Sequence, residues 1–130
     1  MNTSAYFMLR LAAGASLFGH GLVRIPKLAA FSDWMTGNFE KSMLPVQLVK
    51  PFSYVLPFAE LLCGLLLCVG FFTRPALFAS GLLMVVLIFG ATLIENWEAI
   101  PSQLIHAAFF AILYQFAASN DWAIDNLIKK

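Results

Sequence analysis

Four ionisable side chains stand within long apolar stretches of the chain: Arg10, His20, Glu60 and His106. Inside hydrocarbon such groups cost roughly 2.5–3.5 kcal/mol each on insertion scales, so each needs a partner, a proton or a route to water. Glu60 is the most demanding, because it lies mid-stretch and its side chain is too short to reach the surface. A carboxyl group close to imidazoles can hold a proton and pass it on. That makes Glu60, His20 and His106, with Arg10 as a counter-charge, the candidates for ligand binding or proton relay. The last three also have plainer readings. Arg10 can snorkel to the head groups, His20 can sit at a helix end, and His106, in a stretch with Gln103 and Tyr114, can be a packing histidine.

The elements that must position these groups are helices. Crossing a bilayer takes about 20 mostly apolar residues, and four stretches meet that need: residues 5–23, 52–72, 75–94 and 101–118. Pro51, Pro75 and Pro101 stand near three of the expected starts, where a missing N–H costs nothing. Thr73-Arg74 alone joins the second and third stretches, and the acidic Glu95-Asn96-Trp97-Glu98 joins the third and fourth. The first connection is long, from Arg24 to Lys50. Within it, Phe31, Trp34, Met35 and Phe39 recur at helical spacing, with Ser32, Asp33, Asn38 and Glu40 between them. An amphipathic helix resting on the bundle or in the membrane interface is expected there. The fold class is therefore all-α: one integral membrane domain over residues 1–130, a bundle of four transmembrane helices with an amphipathic helix in the first loop.

Composition agrees. Of the 130 residues, 61% are apolar and 12% charged, against about 45–50% and 25% in an ordinary soluble domain. This excludes a typical cytosolic enzyme and a disordered chain. A net charge of +1 offers no field for nucleic acid. Cys63 and Cys68 lie five residues apart, about 140° around a helix, so they do not bond to one another and read as small packing residues.

Helical rise decides which ionisable groups can meet. Counted from the side carrying the long loop, His20, His106 and Glu60 fall roughly 5, 8 and 12 Å deep, and Arg10 about 20 Å deep. The first three can share one polar pocket; Arg10 reaches it only by extending its side chain. Glu60 is expected to pair with His20 or Arg10, and next with His106. On a helical wheel, Arg10, Gly14, Leu17, Gly21 and Arg24 form one stripe, and Glu60, Gly64, Leu67 and Phe71 another. Both mix glycine with charge, and small residues let helices approach closely, so the two stripes are expected to face each other.

Three stretches carry a family resemblance. Leu9-Arg10-Leu11-Ala12-Ala13-Gly14, then Gly19-His20-Gly21 and Arg24, is one. Ala59-Glu60-Leu61-Leu62-Cys63-Gly64 leading to Gly70-Phe71-Phe72-Thr73-Arg74-Pro75-Ala76 is the second. Asp121-Trp122-Ala123-Ile124-Asp125 is the third, with Ala118-Ser119-Asn120 where the family has glycines. Together they resemble the DoxX family of small bacterial membrane proteins. The resemblance implies a four-helix membrane bundle in the inner membrane. It also implies company, since the family includes a small subunit of a thiosulfate:quinone oxidoreductase and proteins associated with thiol and superoxide defence. Both termini are expected to be cytoplasmic, on the side of Arg74, Lys129 and Lys130, with the acidic loop outside.

Three functions stay open at this level. One is a membrane subunit that binds quinone or another apolar ligand, the 13 phenylalanines supplying apolar walls. Quinone is then the ligand; no metal-ligand spacing, haem pair or flavin motif is present, so electrons come from an oxidoreductase partner protein. The second is a non-catalytic assembly or binding module. The third is a carrier of a small solute, which four short spans without a repeat could form only as a homodimer. Whether the chain catalyses a reaction is left open.

Overall fold

The structure is a computed structural model that describes residues 1–128; Lys129 and Lys130, which enter the charge balance above, lie outside the described residues. The first helix, α1 (Thr3–Arg24), opens on Asn2, whose side chain accepts from the N–H groups of Ser4 and Ala5. Its buried residues are Tyr6, Arg10, Ala13, Gly14, Leu17 and Gly21, a single helical stripe. It lies against α3 (Val46–Val69), which buries Val49, Ser53, Leu56, Glu60, Gly64 and Leu67. These are the two glycine-bearing stripes, and they face each other as expected. The glycines are required there: a Cβ at Gly21 would stand 2.6 Å from Leu61 N, one at Gly14 2.9 Å from Cys68 N, and one at Gly64 would collide with the backbone of Phe18.

The next two helices, α4 (Thr73–Leu93) and α5 (Ile100–Gln115), complete the bundle around Leu17, Leu67, Leu77, Phe110 and Leu113. Cys63 packs against this core, and both cysteines are free thiols. Several expected boundaries move, two of them with consequences for the prolines and the chain's last turn. The second stretch begins six residues early, so Pro51 and Pro57 are both inside α3 and neither starts it. Pro45, in extended backbone, stands at the true start. The fourth stretch ends at Gln115, before residues 116–118, where the chain turns through a short 3-10 segment (Ala117–Ser119).

A left-handed Gly70, at φ 73°, ends α3 with its N–H on Leu66 O. Phe72 also takes a left-handed conformation, at φ 48°, which a residue with a side chain rarely adopts. What holds it is Asp125, from the short terminal helix α6 (Ile124–Ile128), whose carboxylate accepts from the N–H groups of Phe72 and Thr73 at 2.8 and 2.9 Å. Asp125 is thus the cap of α4, supplied from 52 residues away.

The long first connection contains α2 (Leu28–Asn38), reached through a 3-10 turn at Pro26. It lies on α3, burying Met35 and Ser32, with Phe31 and Phe39 half-buried. The expected apolar face is corrected at two positions. Trp34 is 58% exposed, stacked on Phe31 instead of entering the bundle. Ser32, expected on the polar side, is buried because it shares a 2.7 Å hydrogen bond with buried Ser53 of α3.

Helices α3 and α4 are long and apolar enough to cross a membrane. At 16 residues, α5 extends about 24 Å against roughly 30 Å of hydrocarbon. Yet all four long helices turn apolar side chains outward: Met8 and Val23 on α1, Val55 and Leu62 on α3, Phe78, Val85 and Phe89 on α4, Leu104 and Ile105 on α5. A water-facing surface would reverse that pattern.

Candidate functional site

The C-terminal end of α1, the N-terminal halves of α3 and α5, the C-terminal end of α4 and the whole of α2 surround a cleft of about 620 Å³. Its polar residues are His20 and Arg24 from α1, Asn38 from α2, Glu60 from α3, Asn96 from the α4–α5 loop, and Ser102, Gln103 and His106 from α5. Its apolar walls include Phe31 of α2 and Phe39 just after it, Phe52 and Leu56 of α3, and Met84 and Leu87 of α4. The cleft is therefore a largely apolar chamber whose ionisable side chains all come from α1, α3 and α5.

Three of the four candidates meet in it. His20 and His106 stand edge to face, with ring centroids 6.2 Å apart, and Glu60 lines the same cleft, as the depth count anticipates. Ser16 links the two rings. Its carbonyl accepts from His20 Nδ1 at 2.7 Å, and its hydroxyl lies 2.8 Å from His106 Nε2. His106 Nδ1 donates to Ser102 O at 2.8 Å, one turn back. Ser16 and His106 also line a smaller cavity of about 220 Å³ between α1 and α5.

The expected partner of Glu60 is corrected. None of His20, Arg10 and His106 bonds to it; Arg24 does, with Nη1 donating to Glu60 Oε1 at 2.8 Å. The cause is geometric. Arg24 is the last residue of α1 and lies on the stripe that contains Gly21, whose lack of a side chain draws α1 onto α3 one turn from Glu60. A long side chain at a helix end can fold back over that turn, and this one also lies over the ring of Phe31, 4.6 Å from its centroid. Glu60 is 3% exposed and Arg24 29%, so the pair is anchored at its acidic end and open at its basic end. The sequence signal was present in the stripe, but Arg24 reads equally well as a flanking charge of the loop.

Arg10 is the second correction. It neither snorkels to the surface nor extends toward Glu60. It is 1% exposed at the far end of the bundle, where Nη1 donates to Asn120 Oδ1 at 2.7 Å and to Trp122 O at 3.0 Å. Asn120 passes the link on, donating to Thr73 Oγ1 at 3.1 Å. The Phe7 ring lies 5.3 Å from the guanidinium carbon. This network ties α1, the α3–α4 turn and the C-terminal segment together and takes no part in the cleft. Among the described residues, no cluster of three or more His, Cys, Asp or Glu side chains is arranged to hold a metal ion.

No curated protein and no solved structure matches the chain. The DoxX family model does match, over residues 5–93. That range runs from the first turn of α1 to the end of α4 and contains His20, Arg24, Glu60 and the Gly70 turn, while α5 with His106 lies beyond it. Covering more than half of the sequence, the match carries the resemblance seen in the motifs, and the chain belongs to the DoxX family.

Proposed function

We propose that this membrane protein crosses the inner membrane four times, on α1, α3, α4 and α5, and binds a quinone in the cleft as the membrane subunit of an oxidoreductase system. The observation that carries the ligand is the cleft's division: a cluster of ionisable side chains from α1, α3 and α5 against phenylalanine-rich walls. That division fits a small polar head group on an apolar tail, and about 620 Å³ is within the usual range of roughly 300–1,000 Å³ for small-molecule sites. Arg24, Glu60, His20 and His106 would surround the head group, with Phe31, Phe39 and Phe52 along the tail. A bound quinone supplies the electron-accepting chemistry. The chain's own contribution is to hold the head group, exclude water and keep proton-bearing groups beside it; the electrons come from a partner protein.

The four-span reading is supported by the outward apolar residues on all four long helices, α5 included. Its shortness is met by local thinning of the bilayer or by the flanking Trp97. Both termini are cytoplasmic in this reading.

Organic extraction of the purified protein, followed by mass spectrometry, tests the ligand. Quinone is expected at near one-to-one stoichiometry, reduced in a Glu60→Leu, His106→Leu variant. Lipid without quinone would overturn the reading and favour an assembly role. Topology is tested in a cysteine-free background: cysteines at Ser42 and at Lys130 should label from opposite faces of intact cells, Ser42 from outside. Labelling of both from one face would overturn the four-span arrangement.

A further inference from the structure

We propose that the cleft opens sideways into the bilayer beside α4, so that a quinone enters it from the membrane and keeps its tail in lipid, with Phe39 lying on Gly90 as the gate. This rests on the reading of the cleft as a quinone site and adds the route of entry and a feature the site does not read, the length of the tail.

The surface of α4 locates the opening. At about 100° per residue, its cleft-lining residues follow one another around the helix. They run from Met84 and Ala91, which are buried, through Leu87 and Gly90 to Val86 and Phe89, which are exposed. Together they cover about 220° of the helix, more than half of its circumference. Val86 and Phe89 fall on the same side as Phe78, Leu82 and Val85, all exposed and apolar. The cleft therefore runs past the edge of α4 onto the face that this helix turns to lipid. By helical rise, Val86 and Phe89 lie roughly 10 and 6 Å short of the end of α4, below the loops and at the depth of the acyl chains.

The lining passes from the inner to the outer face at Gly90. A Cβ there would stand 3.3 Å from Phe39 Cζ, so the missing side chain leaves the notch in which the phenylalanine ring lies. The Phe39 backbone is fixed on both sides. Its N–H donates to Met35 O, and its carbonyl accepts from the N–H and the hydroxyl of Ser42. Rotation of the ring about its own side-chain bonds is thus enough to open the passage. The rim toward the loops carries the amides of Asn38 and Asn96 instead. A tail leaving that way would enter water, whereas a tail leaving across Val86 and Phe89 stays in the apolar phase it occupied before binding. Each added tail unit is then in lipid both free and bound and contributes nothing to affinity.

The test uses the full chain in lipid vesicles, with a decyl-tailed quinone that carries a photoreactive diazirine near the end of its tail. After illumination, peptide mapping should place the label on Val86 or Phe89, and excess unlabelled quinone should remove it. Ubiquinones with short and with long isoprenoid tails should compete with midpoints within about twofold of each other, counted per lipid. Competable label confined to Asn38 and Asn96, or to Leu56 and Met84 inside, overturns the inference while leaving a quinone site in place. So does a long-tailed form that competes about tenfold more weakly. The gate is tested with Cys63 and Cys68 changed to alanine and Phe39→Cys and Gly90→Cys introduced, circular dichroism checking the fold. Joining the two thiols with a short reducible bis-thiosulfonate should slow quinone exchange at least about tenfold, and reduction should restore it. Exchange equally fast when bridged and when reduced overturns the gate. Absence of any competable label overturns the inference together with the proposed function.

Discussion

Each end of the bundle is organised by an arginine of α1, and the two are treated in opposite ways. Arg10 is enclosed and held by neutral acceptors, the amide oxygen of Asn120 and the carbonyl of Trp122. Around it the chain is tied to itself: Thr3 to Asp121, Met1 to Ser119, and Asp125 to the start of α4. Arg24 has a carboxylate partner, remains partly open, and borders a cleft of about 620 Å³; each end keeps one buried polar atom without a partner, Arg10 Nε at the closed end and Gln103 Oε1 in the cleft. One end uses its polar groups to tie the chain to itself; the other sets them around a cleft. A buried charge is therefore not by itself a sign of a binding site. What separates the two ends is that the charge at one is enclosed by chain tied to itself, while the charge at the other borders a cleft of about 620 Å³.

The sharpest way to break that comparison is to remove Arg10. Arg10→Ala leaves Asn120 and the Trp122 carbonyl unmatched and opens a cavity. It should cost about 3 kcal/mol, the range for losing hydrogen bonds to a charged group, read as a fall in the unfolding midpoint in detergent. Arg10→Lys, which can reach one acceptor but not fork between two, should recover part of the loss. If Arg10→Ala unfolds like the parent, the far end is not the closed, stabilising end described here. Asp125→Ala attacks the same end less severely. It removes the acceptor of two α4 N–H groups, and a loss of about 1–2 kcal/mol is expected, as for other helix caps, with ligand binding at the opposite end unchanged.

At the open end the same logic predicts a different balance. Glu60→Gln keeps an oxygen for Arg24 and should change stability by less than about 1 kcal/mol, because Arg24 is partly exposed and its interaction is screened. Glu60→Leu should cost somewhat more, about 1–2 kcal/mol, well short of the Arg10 loss, yet abolish retention of the extracted ligand. A Glu60→Leu variant that unfolds as readily as Arg10→Ala would make the open end structural too and erase the contrast. Activity separates the roles further: a proton-carrying Glu60 is silenced by Gln without loss of stability, whereas a purely positioning one tolerates Gln.

These two ends were not equally legible in the sequence. Convergence of His20, Glu60 and His106 follows from helical rise, because the three lie on separate helices at similar depth. The α1–α3 seam follows from glycine spacing. The partner of Glu60 did not, although Arg24 lies on that same stripe, because a charge at a helix end can point to water or back along the helix, and only the packing of Gly21 on Leu61 selects between them. The closed end was least legible. Arg10 meets Asn120 across 110 residues, and the contact exists only because the chain after α5 folds back. The motif containing Asp125 was visible as a pattern, but its physical role, capping a helix that starts on a left-handed phenylalanine, needed the fold. Trp34 is a related case: helical spacing groups it with Phe31 and Met35, but it stacks on Phe31 and stays 58% exposed.

The smallest expected effect concerns the cover of the cleft. Helix α2 supplies one apolar wall, and its buried tie to α3 is the hydrogen bond between Ser32 and Ser53, both hydroxyls 2% exposed or less. Ser53 Oγ also lies 2.6 Å from Lys50 O. Since that carbonyl can only accept, Ser53 keeps one protein partner when Ser32 is changed. Ser32→Ala should therefore cost only about 0.5–1.5 kcal/mol, the net value of a single neutral hydrogen bond. The double variant Ser32→Ala, Ser53→Ala should be close to the single one, because deleting both partners leaves no orphan between the helices. The same variant has a second readout. If α2 is the wall of the open end, loosening it should speed ligand release more than it lowers the unfolding midpoint, so calorimetric affinity falls while the midpoint shifts by only a few degrees. An unchanged affinity would mean that the open end is walled by α3, α4 and α5 alone, with α2 a passive appendage on the membrane surface.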